Sequence, residues 1–125
     1  MANPNIVAVT SILGESTYLT PSDTAANVLL ANATSSGKVY KINQIVAANV
    51  DGASAVNTTV AINTTAAGGG TSYPIVSTVS VPADASLIVA DKTTAIYLME
   101  NKSIVVTSGT ASKIAYTISY EVIED

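Results

Sequence analysis

Four acidic residues sit where a carboxylate could do chemistry: Asp51, Asp84, Asp91 and Glu100. General acid–base work needs two such groups in one cleft, and a calcium site could draw on Asp84, Asp91 and Glu100 with loop carbonyls. The spacing supports neither. There is no dense D-x-D-x run, and Asp51, Asp84 and Asp91 each fall in a turn-forming segment, where a short carboxylate caps its own backbone. Gly68-Gly69-Gly70 is followed by a strand-like run and by no Lys-Ser/Thr, so it reads as a mobile hairpin tip rather than a phosphate cradle. The missing residue types weigh more. The chain has no His, Cys, Arg, Phe or Trp. Without His or Cys the usual nucleophile–base pairs and most metal sites cannot be assembled. The expectation is a protein with no catalytic residue, no cofactor and no metal: not an enzyme.

The only aromatics are Tyr18, Tyr40, Tyr73, Tyr97, Tyr116 and Tyr120. A glycan platform needs an exposed aromatic row; these read instead as core and rim fillers with hydroxyls at the rim, Tyr73 beside the glycine loop being the one exposed contact. The net charge is −4 and the isoelectric point is near 4.4. Lys38, Lys41, Lys92, Lys102 and Lys113 are scattered, flanking strands where they keep edges soluble. With no Arg for bidentate contacts and no basic patch, neither nucleic acid nor an anionic membrane is an expected partner. Mean hydropathy is +0.42, yet no apolar run approaches the roughly 20 residues of a membrane helix. Only 11% of residues are charged. The wet surface must therefore be built of Thr, Ser, Asn and Ala, which a neighbour covers at little desolvation cost. Asn-x-Ser/Thr triplets at Asn32, Asn57, Asn63 and Asn101 are expected by chance in such a composition. The amino terminus carries neither a basic stretch nor an apolar signal core, so synthesis in a cytoplasm without a standard secretion signal is expected.

Val, Ile and Thr supply 43 of the 125 residues, and β-branched side chains suit a pleated surface. Period-two alternation recurs between closely spaced turns, while apolar residues nowhere recur at helical spacing over three turns. This predicts one all-β domain over residues 1–125, an antiparallel β-sandwich of jelly-roll type with little or no helix. Strands are expected at Ile6–Leu13, ended by Gly14, and at Thr17–Thr20, Asn27–Ala31, Lys38–Val50, Ala55–Thr64, Tyr73–Val81, Ser86–Ala90, Ala95–Met99, Ser103–Thr107 and Lys113–Ile123. Asn43-Gln44 is placed as a bulge. Asp51-Gly52, between two strand-like runs, is placed as a type I′ hairpin turn. Pro74 marks an edge or a strand start. In the last strand Ile114, Tyr116, Ile118, Tyr120 and Val122 share the buried face, with Lys113, Ala115, Thr117, Ser119 and Glu121 opposite.

The strand–proline turn–strand run from Val79 to Lys92, the run from Ile96 to Ile104, the opening Met1–Val7 and the closing Ile118–Ile123 resemble small β-rich virion proteins of tailed phages, especially those infecting cyanobacteria and other marine bacteria. The resemblance implies a structural role in a virion, as a capsid cement or decoration protein contacting the major capsid protein or another virion protein. The alternative is a carbohydrate- or receptor-binding module on a tail or cell surface. A weakly charged surface on a shell of repeated subunits favours a homotrimer, which multiplies modest contacts. Residues 1–5, with Pro4, are placed either as an extended arm reaching a neighbour or as a disordered end.

Overall fold

Wherever the sequence alternates, the chain is extended. The computed structural model describes residues 11–94 and 96–124. It contains nine strands in that range: β1 (Ser11–Leu19), β2 (Asn27–Asn32), β3 (Lys38–Asn49), β4 (Val56–Asn63), β5 (Ser72–Val81), β6 (Ser86–Ala90), β7 (Ile96–Leu98), β8 (Lys102–Ser108) and β9 (Ile114–Glu124). The described residues include no helix. The arm placed over residues 1–5 and the Ile6–Thr10 part of the first expected strand lie outside the described residues.

Two antiparallel sheets pack face to face. One has the order β1-β9-β3-β6, with β7 pairing β3 beside β6; the other has the order β2-β8-β4-β5. Six of the eight connections cross from one sheet to the other, and only β4–β5 and β6–β7 stay within a sheet. This is jelly-roll wiring, with the strand on the far side of β3 split in two. The core between the sheets holds Ile42, Ile45, Val60, Leu98, Ile104, Val106, Ile114, Tyr116 and Ile118. Fully burying each such aliphatic side chain contributes roughly 1.5–3 kcal/mol relative to leaving it in water. The face expected for β9 is the one observed: Ile114, Tyr116, Ile118, Tyr120 and Val122 are buried.

Tyr116 also ties the two sheets together. Its hydroxyl donates to the Thr107 carbonyl oxygen at 2.9 Å and pairs with the Thr58 hydroxyl, both in the opposite sheet. With the tyrosine proton committed to Thr107, the Thr58 hydroxyl is the donor of that second bond. Burial pushes the Tyr116 phenol above its ordinary pKa.

The bulge at Asn43 is present. The β3–β9 register shifts between Ile42 and Gln44, so Ile42 and Ile45, three residues apart, both point into the core. Asp51-Gly52 is a different matter: it is not a hairpin turn, because β3 and β4 lie in different sheets. Positive φ is confined, among the described residues, to Ser35, Thr78, Asp84, Asn101, Ser112, Gly37 and Gly68, so Asp51-Gly52 lacks the type I′ geometry. Asp51 Oδ1 accepts the Ala53 and Ser54 amides at 2.9 and 3.3 Å, which bends the chain over the sandwich edge instead. Gly14 does not end a strand either. It sits inside β1 opposite Glu121, so the first two expected strands are one.

Three strands end on a buried asparagine: Asn32 (0% exposed), Asn49 (3%) and Asn63 (1%). Asn32 Nδ2 donates to the Lys38 and Leu98 carbonyls at 2.9 and 3.0 Å, and its Oδ1 accepts from Ser36. Asn49 Nδ2 donates to the Ser54 and Val81 carbonyls, while its Oδ1 accepts the Asp51 amide. Asn63 Nδ2 donates to the Gly68 and Gly70 carbonyls and to the Ser72 hydroxyl, and its Oδ1 accepts the Thr65 and Gly70 amides. Each carboxamide holds the loop that follows it. Replacing any one with Ala orphans several buried backbone groups, so Asn32→Ala, Asn49→Ala and Asn63→Ala should each lower urea-unfolding stability by about 1–3 kcal/mol or more. The exposed Asn57→Ala should stay within about 0.5 kcal/mol of the parent.

Candidate interaction surface

The acidic residues are kept apart. Asp84 and Asp91 lie beyond opposite ends of β6. Glu100 Oε2 accepts the Gly37 amide at 2.7 Å, at the far end of β7. Among the described residues no three His, Cys, Asp or Glu side chains converge. Asp51 and Asp91 cap turns as expected. The Ala53 amide holds the Asp51 carboxyl below the usual range, and the Thr93 hydroxyl and amide do the same for Asp91.

The glycine run forms the tip of the β4–β5 hairpin, but it is tied down rather than mobile. Besides the Asn63 bonds, the Ser103 hydroxyl donates to the Thr65 carbonyl at 2.7 Å, and Asn101 Oδ1 accepts the Ala66 amide. Gly68, at φ +81°, lies so close to Val28 and Val105 that a Cβ would come within 2.9 Å of the Val28 side chain. The loop therefore folds over one end of the second sheet's outer face. Around Asn57 and Thr59 that face carries short polar side chains.

The first sheet's outer face is different. The register aligns Tyr18, Thr117, Val46 and Ile88 in one row across four strands. Tyr18 is 80% exposed and Ile88 59%. A second row aligns Gly14, Glu121, Lys41 and the exposed Tyr97; a third aligns exposed Ile12 with Ile123 and Val39. The tyrosine expectation needs correction here. Tyr116 and Tyr120 are core, and Tyr40 packs its ring 5.2 Å from that of Tyr120, but Tyr18 and Tyr97 are exposed along with Tyr73. Alternation in β1 is too polar to show which side faces water, so only the pairing with β9 reveals it. Lys38 and Lys41 lie on the central strand β3 rather than at an edge.

Two shallow clefts, about 540 and 310 Å³, flank the bulge: the first opens toward the break between β6 and β7, the second toward β1. Asn43 and Ser119 line both; Gln44, Asp91, Lys92 and Thr93 complete the first, and Gly14, Glu15, Ser16 and Tyr120 the second. Each cleft holds one carboxylate, and no imidazole or thiol exists to activate the Ser119 hydroxyl. The Tyr120 hydroxyl donates to Glu15 Oε2 at 3.0 Å. Burial first, then the Glu15 bond and charge, push its pKa up to about 12.

No protein-family model and no characterised protein sequence matches the chain. Among solved structures, a chain from the acidic stable capsid structure of Helicobacter pylori bacteriophage KHP30 aligns over 93% of this chain and 90% of its own length, at 9% identity and a TM-score of 0.50. A chain of infectious bursal disease virus, Gx strain, aligns over 90% of this chain and 33% of its own length, at 8% identity and a TM-score of 0.44. A chain of the cyanophage Pam1 capsid asymmetric unit covers 100% and 93%, at 9% identity and a TM-score of 0.40. At such identities the first of these likenesses is one of fold, and it agrees with the sandwich described above.

The folded chain holds the Tyr120 proton more tightly than an unfolded tyrosine, with its pKa near 10, would. That stability is fully present below about pH 10 and is lost as the pH rises through the folded value of about 12. Urea midpoints measured from pH 8 to 12 should fall over that window, and Tyr120→Phe should flatten the fall.

Proposed function

We propose that this chain is a non-enzymatic structural protein of a phage virion, a capsid cement or decoration protein that reinforces the shell through protein–protein contacts. The observation that carries the reading is the outer face of the first sheet. It presents Ile12, Tyr18, Ile88 and Tyr97 among Ser, Thr and Ala, around the cross-strand partners Lys41 and Glu121, on a chain with 11% charged residues. Covering its exposed apolar side chains gains burial, provided that the two charges stay paired or solvated. The fold likeness to a chain of the KHP30 phage capsid structure, nearly end to end in both chains, supports the same reading, as does the sequence resemblance to tailed-phage virion proteins. The working unit in this proposal is a homotrimer on the shell, since linking three modest contacts raises avidity by orders of magnitude. The alternative of a glycan- or receptor-binding module has less behind it. Tyr18 and Tyr97 stand in different rows of one sheet and Tyr73 on the edge strand of the other, so the exposed rings form no platform.

Quantitative mass spectrometry of purified virions is the test. A copy number on the order of the shell subunits is the expected result; a handful of copies, or none, overturns the shell assignment. Ile88→Lys should leave unfolding stability within about 0.5 kcal/mol while reducing binding to shells lacking the protein at least tenfold. Unchanged binding would remove this face from the mechanism.

A further inference from the structure

The described strands leave four open sheet edges, and three of them are blunted. β2 pairs through a register shift between Val28 and Leu30. β5 carries Pro74, two register shifts against β4 and a left-handed Thr78 at φ +51°. The edge opposite β1 is made of two pieces, β6 and β7, of five and three residues. These are the devices by which β-proteins prevent edge-to-edge pairing. β1 has no shift against β9 along its nine residues, no proline, no lysine and no break; its one charge, Glu15, lies in the inward-facing row and accepts the Tyr120 hydroxyl. Along it, Leu13 is 54% and Tyr18 80% exposed, although Leu13 belongs to the row that faces inward, beside Val122.

We infer that β1 is a self-pairing edge: two copies of this chain join β1 to β1 antiparallel about a two-fold axis at Ser16, giving one continuous sheet. The register follows from the side chains. Residues facing each other across an antiparallel pair must share a face, so the axis passes through one residue. At Glu15 it would set two carboxylates opposite each other. At Gly14 it would put Leu13 opposite Glu15. At Thr17 it would set Glu15 against Leu19. At Ser16 every pair is compatible: Ser16 with Ser16, Glu15 with Thr17, Gly14 with Tyr18 and Leu13 with Leu19. Gly14 fits this register in particular. Its φ is not positive, so the backbone does not require glycine, and nothing lies within 4 Å of where its Cβ would be. A glycine in mid-strand with open space above it is a place for close approach by another chain, and the Tyr18 ring of the second copy covers it. The inference does not depend on shell binding; if trimers form, the pairing joins one trimer to the next.

The chain has no cysteine, so Ser16→Cys introduces a single thiol on the axis. Directly opposed residues lie about 4.5–5.5 Å apart at Cα, within the range a disulfide spans. Under mild oxidation Ser16→Cys should give a dimer at twice the 12.6 kDa chain mass on a denaturing gel, at least tenfold faster than the exposed control Ser22→Cys. Ser16→Lys, which opposes two ammonium groups on the axis, should shift sedimentation to half the parent's mass while the β circular dichroism is retained. Equal cross-linking rates for the two cysteine variants, or a Ser16→Lys protein that sediments as the parent does, would overturn the inference. A virion copy number that fails the shell reading leaves both of these measurements standing.

Discussion

The structure depends on getting buried backbone through the ends of a sandwich whose chain crosses between sheets six times. Each crossing takes polar backbone past an apolar core, where an unpaired N–H or C=O costs about as much as a lost hydrogen bond. Asn32 and Asn49 answer that cost at two of the crossings, and Asn63 does the same for the β4–β5 loop within the second sheet. One carboxamide both donates and accepts, so a single side chain at the last residue of a strand can satisfy groups on the loop and on a distant strand together. Asn32 reaches Leu98 and Asn49 reaches Val81 across such gaps. Among the described residues no buried side-chain nitrogen or oxygen is left without a partner.

With the crossings held, the rest follows from the pleat. The bulge at Asn43 resets side-chain parity so that both halves of β3 bury aliphatic side chains, and it faces the break where β6 gives way to β7. The two clefts beside the bulge are lined by polar side chains, with one carboxylate and no imidazole in each. The two outer faces then diverge. The second sheet's longest loop packs Gly68 against Val28 and Val105, whereas nothing comparable lies over Tyr18 and Ile88 on the first, which are 80% and 59% exposed.

Much of this was legible in the residues. Alternation in β9 named its buried face, β6 was located to the residue, and Pro74 and Asn43-Gln44 marked an edge and a bulge. The roles of Asn32 and Asn63 were not legible, because an Asn at a strand end looks the same whether it caps a wet turn or lies buried under a loop; both fell within chance Asn-x-Ser/Thr triplets. Burial sets them apart. The exposed Tyr18 and Tyr97 were missed for a related reason: an aromatic in a short strand does not declare its face until its partner strand is known.

By itself, then, the sequence determined the all-β class, the period-two elements, the places where the chain turns, and the absence of the imidazole and thiol that the usual nucleophile–base pairs need, since these follow from side-chain branching, alternation and residue inventory. Only the tertiary structure decided which strands are neighbours. Asp51-Gly52 carries the composition of a hairpin turn, yet β3 pairs with β9 and β4 with β8, forty or more residues away in each case. The physical reason is that a turn's own preference is worth little beside the burial of two complete sheet faces. A chain with two apolar faces lowers its free energy most by bringing them together, and local turns bend to suit that packing.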